Sequence, residues 1–309
     1  MIDTTYDVAV IGAGASGISA SIYLSRVGKK VALIEKGLYG GVLNDTAEVE
    51  NYTSYTTVSG PDLAEKMEEH VHEQANVDHL YGEVEYLYKQ SPHRIDVGMK
   101  DNKIKAKAVV IATGVTYKKL DIPGEYKYQG AGVSQCPTCD GNFFRGKHVA
   151  MIGGGDSAVE GALYLSNIVD KVTLIHRRDT LRAEKILQER LLERDNVEYI
   201  WDAGVEAFKG DYGKLNRVMY LDKTSGERFS LNVEGAFVNV GITPVTSVFK
   251  GLGILNSEGY VKTDKNLATY VDGIFAIGDV RADSIRQIVN ATADGATVSK
   301  SIIDYLEEV

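Results

Sequence analysis

The sequence predicts an α/β protein built from two Rossmann-like dinucleotide-binding domains, one inserted into the other. Three observations support this fold class. A strand, a glycine-rich turn and a helix follow one another from Val8, and the same succession returns from Val149. Near the end of the chain, an apolar strand stops at Gly278-Asp279. Repeated strand–turn–helix units are typical of parallel sheets covered by helices.

The first unit begins with the strand 8–11 and continues into a helix through Gly12-Ala13-Gly14-Ala15-Ser16-Gly17. Such glycines permit a sharp turn and let the backbone approach a pyrophosphate, which then rests on the helix N-terminus. The next strand, 31–34, ends at Glu35, whose carboxylate can accept hydrogen bonds from both hydroxyls of an adenosine ribose. This unit therefore suits a nucleotide with a free ribose, such as FAD or NAD.

The segment after the first unit has the pattern of one helix and several short strands. The periodicity predicts a helix that begins near Pro61. Alternating residues near 82–88, 94–97 and 106–111 predict three strands of a small antiparallel sheet. These strands close on the short turn Ala112-Thr113-Gly114.

The only two cysteines of the chain stand in the run Cys136-Pro137-Thr138-Cys139-Asp140-Gly141. Two cysteines at this spacing can close a small disulfide ring that opens and reseals. If Cys139 starts a helix, the positive helix end lowers the pKa of its thiol, and Asp140 can pass the proton that thiol–disulfide exchange moves. A pair of buried structural thiols is the alternative. A structural zinc site needs four ligands, so we predict no metal site.

The second unit repeats the strand as 149–152 and the turn as Gly153-Gly154-Gly155-Asp156-Ser157-Ala158. Its next strand, 172–175, leads to a basic cluster instead of an acid: His176, Arg177 and Arg178, with Arg182 one turn further on. A carboxylate would repel a 2′-phosphate, whereas guanidinium groups bind one through charge-assisted hydrogen bonds. This unit therefore suits NADPH. A solvated basic face is the alternative for the same residues.

The rest of the chain predicts a charged helix over 180–194, strands near 197–200, 218–221, 229–231 and 236–240, and a final helix over 287–306. If the strand 273–279 joins the first sheet, Asp279 reaches the ribityl-phosphate end of a flavin, and the final helix points its N-terminus at the flavin ring.

One flavin can use both ends of the chain only if the middle is an inserted domain. We therefore expect an FAD-binding domain of 1–116 and 247–309, an NADPH-binding domain of 117–246 with the cysteine pair, and a hinge near Tyr117 and Thr246.

Composition excludes several classes of function. The 309 residues are 44% hydrophobic and 25% charged, as in a soluble globular protein. The net charge of −9 and the lack of a basic stripe argue against a nucleic-acid partner. No apolar run approaches the ~20 residues that span a bilayer. The polar, acidic start Met1–Asp7 lacks the features of a signal peptide, so we expect the reducing cytoplasm.

These motifs together resemble the low-molecular-weight thioredoxin reductase family along essentially the whole chain. The resemblance implies that NADPH gives hydride to FAD, and that reduced flavin opens a disulfide between Cys136 and Cys139. It implies that Cys139 faces the flavin, Cys136 attacks the partner's disulfide and Asp140 handles protons. It also implies a homodimer, an NADPH domain that rotates, and thioredoxin or a thioredoxin-like protein as the partner.

The resemblance extends the set of cofactor-binding candidates. For FAD they are Gly12, Gly14, Ala15, Ser16, Gly17, Glu35, Lys36, Gly41, Leu43, Asn51, Ala112, Thr113, Gly114, Gly278, Asp279, Arg286, Gln287 and Ile288. For NADPH they are Gly153, Gly155, Asp156, Ser157, Ala158, His176, Arg177, Arg178 and Arg182.

Three positions depart from the family pattern and three other functions compete with it. Val42 replaces the usual Gln, Tyr52-Thr53-Ser54 replaces aromatic-Pro-Gly, and Pro244-Val245 replaces Pro-Asn. A flavin-dependent dithiol oxidase and a ferredoxin-fed reductase share the scaffold, but they have little use for the basic cluster. A redox sensor without turnover is a third alternative, from a different class.

Overall fold

A computed structural model describes residues 5–46, 49–100 and 102–307. The first four residues of the acidic start lie outside that range. The described residues form two compact units. Of the described residues, the first unit takes those within 5–44, 49–116 and 243–307, and the second takes those within 45–46 and 117–242. Asp45 therefore belongs with the second unit, although the chain on both sides of it returns to the first.

The strands and helices of the described chain occur in the following order. Strands β1 to β8 are Thr5–Ile11, Val31–Glu35, Val77–Tyr81, Val84–Ser91, Arg94–Met99, Asn102–Ile111, Val115–Tyr117 and Val133–Ser134. Strands β9 to β17 are His148–Gly153, Lys171–Ile175, Val197–Ile200, Ala203–Asp211, Lys214–Asp222, Arg228–Asn232, Gly235–Asn239, Ile242–Pro244 and Ile274–Ala276. Helices α1 to α6 are Ala15–Arg26, Gly60–His72, Pro137–Asp140, Asp156–Ser166, Lys185–Leu192 and Ile288–Glu307.

The first unit is organised around a seven-stranded sheet in the order β3-β2-β1-β6-β5-β4. Strand β6 is long enough to have two partners on one edge: its first half pairs with β5, and its last residues pair with β17. Strands β3, β2, β1, β6 and β17 run parallel. The last strand therefore joins the sheet of the first glycine-rich unit, as predicted.

Side-chain alternation along β1 creates a core on each face of this sheet. Val8 and Val10 pack with residues of helices α1 and α6, including Leu24 and Val298. Ala9 and Ile11 point to the other face, where they join a cluster that contains Ile95. All of these side chains are buried. Helices thus cover one face of the sheet and hold the turn after β1 in place.

The second unit contains a five-stranded parallel sheet in the order β11-β10-β9-β15-β8. A separate antiparallel sheet has the order β12-β13-β14. Helix α4 packs on the parallel sheet through Ala158, Ala162 and Leu165. The repeat of strand, glycine turn and helix from the first unit is therefore structural as well as sequential.

The two segments that connect the units are paired as strands β7 and β16. On the first-unit side of this pairing, Val245 N donates to Gly114 O at 3.1 Å, and Thr113 Oγ1 donates to Val245 O at 2.7 Å. The expectation that the crossing segments lie side by side is confirmed. Among the described residues, no helix is long and apolar enough to cross a membrane.

Two predictions about local structure were wrong. Strands β4 and β5 do not form a small sheet of their own, because β6 joins them to the parallel strands. The helix expected over 180–194 begins only at Lys185. The residues before it are held as a loop, since Arg182 N donates to Gly154 O at 2.7 Å and Glu184 N donates to Asp156 Oδ1 at 2.7 Å.

Candidate active site

The two cysteines form a disulfide, Cys136–Cys139, at the short helix α3. Cys136 occupies the N-cap position, and Cys139 N donates to Cys136 Sγ at 3.1 Å. The condition that Cys139 starts the helix is therefore not met, because Pro137 is the first helical residue. Cys139 is exposed and Cys136 is half-buried. The backbone N–H thus favours negative charge on Cys136 once the disulfide is reduced.

Two hydroxyl side chains hold the cysteine loop. Cys136 N donates to Ser134 Oγ at 3.0 Å, and Thr138 Oγ1 lies 3.3 Å from Cys136 Sγ. Asp140 ends α3, and its backbone N donates to Cys136 O at 3.2 Å. The predicted proton donor therefore follows Cys139 directly on a fixed turn.

One acidic residue near the disulfide was missed by sequence reasoning. Asp45 Oδ1 lies 3.9 Å from Cys139 Sγ. A carboxylate oxygen of Asp45 and the sulfur atoms of Cys136 and Cys139 all lie within 4.8 Å of one another. Burial raises the pKa of the Asp45 carboxyl. Asp45 stands 94 positions before Cys139, so no local pattern could have connected them.

The first glycine-rich turn has the shape of a pyrophosphate cradle. Gly12 has φ +105°, and a Cβ there would lie 2.4 Å from Ala112 O, so the turn packs tightly on Ala112-Thr113-Gly114. Gly14 precedes α1, and a Cβ there would meet no atom within 4 Å. The space above the helix start is thus open where a phosphate would need it.

Glu35 is tied to the same turn. Ala13 N donates to Glu35 Oε2 at 2.7 Å, and Lys36 N and Gly37 N donate to Glu35 Oε1 at 2.9 and 2.8 Å. Oε2 can still accept a further hydrogen bond, because these contacts use about three of the four acceptor sites of the carboxylate. The Lys36 ammonium group instead pairs with Glu83 at 2.8 Å.

The end of β17 reaches the start of α1. Gly278 has φ +70°, and a Cβ there would lie 2.6 Å from Ser16 Oγ. Burial raises the pKa of Asp279, and the charge of Arg286 opposes this rise. Gly278 N donates at 2.8 Å to Asp294 Oδ2, a buried carboxylate that sequence reasoning missed. Gly278 and Asp279 therefore lie beside the first glycine-rich turn.

Other predicted FAD residues have mixed positions. Asn51 Nδ2 donates to Gln287 Oε1 at 3.1 Å, which brings two of them together. Leu43 is buried in a small cluster that also includes Ala15 and Ile288. The Arg286 guanidinium stacks over the ring of Tyr260 at 4.7 Å. Gly41 precedes Leu43 on a 3-10 turn.

The second glycine-rich turn has the same construction. A Cβ on Gly153 would lie 2.2 Å from Asn239 O, whereas a Cβ on Gly155 would meet nothing within 4 Å. Asn239, which sequence reasoning missed, donates from Nδ2 to Ser157 O at 3.0 Å. Asp156, Ser157 and Ala158 form the first turn of α4. The second unit thus has an open helix start of its own.

The basic cluster divides into a buried and an exposed part. His176 is only 4% exposed and its ring lies under Gly154, while the side chains of Arg177, Arg178 and Arg182 are exposed. Burial lowers the pKa of His176, and the charge of Arg182 lowers it further. The His176 ring therefore supports the turn, and the three exposed guanidinium groups lie where solvent or an anion can reach them.

Comparisons with known proteins agree with this geometry. Residues 6–295 match the family described as pyridine nucleotide-disulphide oxidoreductase. The chain is 41% identical to thioredoxin reductase of Bacillus subtilis strain 168 over 304 residues, which cover 98% of this chain and 96% of the relative. It is 40% identical to thioredoxin reductase of Treponema pallidum, with 99% of each chain covered.

Solved structures give the same result for the fold. The crystal structure of Lactococcus lactis thioredoxin reductase matches with a TM-score of 0.95 and 40% identity, covering 98% of this chain and all of that one. The T. acidophilum thioredoxin reductase matches with a TM-score of 0.92 and 35% identity, covering 98% and 99%. The chain belongs to the thioredoxin reductase family, with the fold of two dinucleotide-binding domains and the activity of a pyridine nucleotide-disulphide oxidoreductase.

Proposed function

We propose that this protein reduces the disulfide of thioredoxin, or of a thioredoxin-like protein, with electrons from NADPH by way of FAD and the Cys136–Cys139 pair. The observation that carries the proposal is the Cys136–Cys139 disulfide, held by α3 in a chain with one open glycine turn in each unit. FAD, when bound, would take hydride from NADPH and pass two electrons to the disulfide.

We assign FAD to the first turn and the domain 1–116 and 247–309. The open helix start at Gly14 fits the pyrophosphate, and the backbone donors around Glu35 hold its carboxylate where a ribose can meet it. Gly278 and Asp279 lie beside the same turn, and Asn51 contacts Gln287. These contacts support one binding site made from both ends of the chain.

We assign NADPH to the second turn and the domain 117–246. The open helix start at Gly155 fits a pyrophosphate. The exposed guanidinium groups of Arg177, Arg178 and Arg182 carry the positive charge that a 2′-phosphate requires. This choice separates NADPH from NADH by charge, and it argues against a dithiol oxidase, which needs no such cluster.

The chain's own residues divide the thiol chemistry between them. The Cys139 backbone N–H stabilises a Cys136 thiolate, so Cys136 attacks one sulfur of the thioredoxin disulfide. Cys139 then attacks Cys136 Sγ, which closes the internal disulfide and releases thioredoxin as a dithiol. Asp140 supplies and removes protons during these exchanges.

The setting of the reaction follows from the same assignment. A pair that must be reduced in every cycle belongs in a reducing compartment, so we place the protein in the cytoplasm. We propose a homodimer, as the family resemblance implies. The net charge of −9 supports a protein partner and not a nucleic acid.

One experiment tests the proposal. The purified yellow protein is titrated anaerobically with NADPH while flavin absorbance is followed, and oxidised thioredoxin is then added. We expect NADPH to bleach the flavin and thioredoxin to restore its colour. Reoxidation by oxygen but not by thioredoxin would identify a dithiol oxidase, and bleaching without any disulfide turnover would identify a redox sensor. Cys136→Ser should still bleach but should no longer reduce thioredoxin.

A further inference from the structure

We propose that Asp45 is a second proton-accepting residue of the cysteine pair and acts on Cys139. The inference rests on the proposed disulfide exchange, and it assigns a residue that the motif Cys-x-x-Cys-Asp does not include. Asp45 Oδ1 is 3.9 Å from Cys139 Sγ, whereas Asp140 is the next residue along the helix from Cys139. The two carboxylates therefore approach the pair from different segments of the chain.

Thr138 connects the Asp45 backbone to the disulfide. Its Oγ1 donates to Asp45 O at 3.1 Å and lies 3.3 Å from Cys136 Sγ. One hydroxyl therefore contacts both the segment that carries the carboxylate and the attacking cysteine. This arrangement holds Asp45 near the pair, and within the described part of the chain no salt bridge neutralises its charge.

The surroundings of Asp45 make it a stronger base than a surface carboxylate. Burial raises the pKa of its carboxyl. The groups near it are Cys139 of α3, Cys136 at the N-cap of α3, and Tyr117 of β7. The pKa of Tyr117 is itself raised by burial, by Asp45 and by Glu160 of α4. A base works best when its pKa is close to the pKa of the group that gives up the proton. The raised pKa of Asp45 therefore reduces the difference between its pKa and that of a thiol.

The step that Asp45 serves is the closing of the internal disulfide. In the mixed disulfide, Cys136 Sγ is bonded to a sulfur of the partner, and Cys139 carries a thiol. The proton of Cys139 passes to the Asp45 carboxylate as Cys139 Sγ attacks Cys136 Sγ. The Cys139–Cys136 bond forms and the Cys136–partner bond breaks. Its electron pair leaves with the partner's sulfur, which takes a proton from solvent, and Asp45 later returns its proton to solvent.

The balance of this step needs no further reagent. The two cysteines lose two electrons to the partner's disulfide, which becomes a dithiol. An ionised Asp45 next to a neutral Cys139 thiol is the ground state of the step. The negative carboxylate must therefore raise the pKa of the Cys139 thiol, and this consequence can be measured without any partner protein.

The first test measures that thiol directly in the FAD-loaded full chain. Cys136→Ser leaves Cys139 as the only thiol, and its alkylation by iodoacetamide is followed across pH. We expect adding Asp45→Asn to lower the pKa of Cys139 by about 1 unit and to speed alkylation near neutral pH. Asp211→Asn removes one charge at an exposed site of β12 and should leave the curve in place. Coinciding curves with and without Asp45→Asn would overturn the proposal.

The second test measures the exchange itself. Enzyme is first reduced by one equivalent of NADPH, and the rate of flavin reduction is recorded. The reduced enzyme is then mixed rapidly with oxidised thioredoxin, and the rate of disulfide exchange is divided by the recorded rate of flavin reduction. Asp45→Asn should lower this ratio by at least about tenfold at neutral pH, because loss of a general base that contributes about 10²- to 10⁴-fold outweighs the roughly tenfold larger thiolate fraction of Cys139. Asp45→Glu should recover part of the ratio. An unchanged ratio for Asp45→Asn would reject the role. If the unaltered protein does not reduce thioredoxin, the proposed function fails, while the alkylation result still decides the place of Asp45.

Discussion

The imidazole rings of His72 and His79 are stacked, with their centroids 4.1 Å apart and their planes 5° from parallel. His72 ends α2, and His79 lies on β3, where its Nδ1 shares a 2.8 Å hydrogen bond with the Tyr39 hydroxyl. Burial lowers the pKa of His79, and His72 lowers it further, against a smaller opposing effect of Asp78. The folded protein therefore resists protonation of His79.

The lowered pKa of His79 makes the free energy of unfolding depend on pH. Below about pH 6.5 the unfolded chain binds a proton at His79 that the folded chain refuses, so stability falls as pH drops through the lowered pKa. We expect His79→Gln to lose less stability than the unaltered protein between about pH 7.5 and about pH 5.5. Urea unfolding at each pH measures this. His70→Gln removes an exposed imidazole from α2, the helix that carries His72, and its stability should change with pH as in the unaltered protein. If stability falls with pH equally in His79→Gln and in the unaltered protein, the prediction is contradicted.

The buried pair Arg281–Asp294 should matter for stability. Its Nε–Oδ2 distance is 3.0 Å, and the side chains are 12% and 10% exposed. Arg281→Met leaves a buried carboxylate without its partner, so we expect the free energy of unfolding to fall by about 3 kcal/mol. Urea unfolding at equal FAD loading measures the loss. The exposed Lys300–Asp304 pair on α6 is the matched control, and Lys300→Met should cost less than about 1 kcal/mol.

Two alanine substitutions separate the fold of the first turn from its binding role. Gly14→Ala introduces a Cβ that meets no protein atom, so the chain should fold, yet that methyl group enters the space assigned to the pyrophosphate. We expect FAD affinity to fall at least about tenfold, or about 1.4 kcal/mol. Gly12→Ala, with φ +105° and Ala112 O at 2.4 Å, should prevent folding. Fluorescence titration of the FAD-free protein with FAD measures the affinity of each variant. Unchanged affinity of Gly14→Ala would show that the pyrophosphate binds elsewhere.

The exposed arginines should set coenzyme choice. Replacing Arg177, Arg178 and Arg182 with Gln should raise the Michaelis constant for NADPH at least about tenfold and change that for NADH little, because each guanidinium–phosphate contact contributes about 1.5–3 kcal/mol. Gly155→Ala is the control, since the pyrophosphate is common to both coenzymes and both constants should rise together. Steady-state kinetics with each coenzyme decides, and equal effects of the arginine substitutions would refute the assignment.

Predictions from the sequence agree with the structure where the pattern is local, as for the two strand–turn–helix units and the Cys136–Cys139 disulfide. The two glycine turns, Glu35 and the cysteine pair each lie within a short stretch whose spacing has a direct physical meaning. Two of the failures have clear physical reasons. Strand β12 was not predicted, because Gly204 and Gly210 weaken its alternation and its pairing with β13 supplies what local propensity lacks. The helix before Lys185 was overpredicted, because hydrogen bonds to the second glycine turn hold those residues as a loop.

The amino-acid sequence by itself determined the two strand–turn–helix units, the contrast between Glu35 in one and the basic cluster in the other, and the cysteine pair, because these depend on residues close together in the chain. Only the tertiary structure placed Asp45 beside Cys139, Asp294 under Gly278 and His79 against His72. Each of these contacts joins residues that are far apart or on different elements. Their positions follow from how strands and helices pack, and the spacing of residues along the chain does not predict that packing.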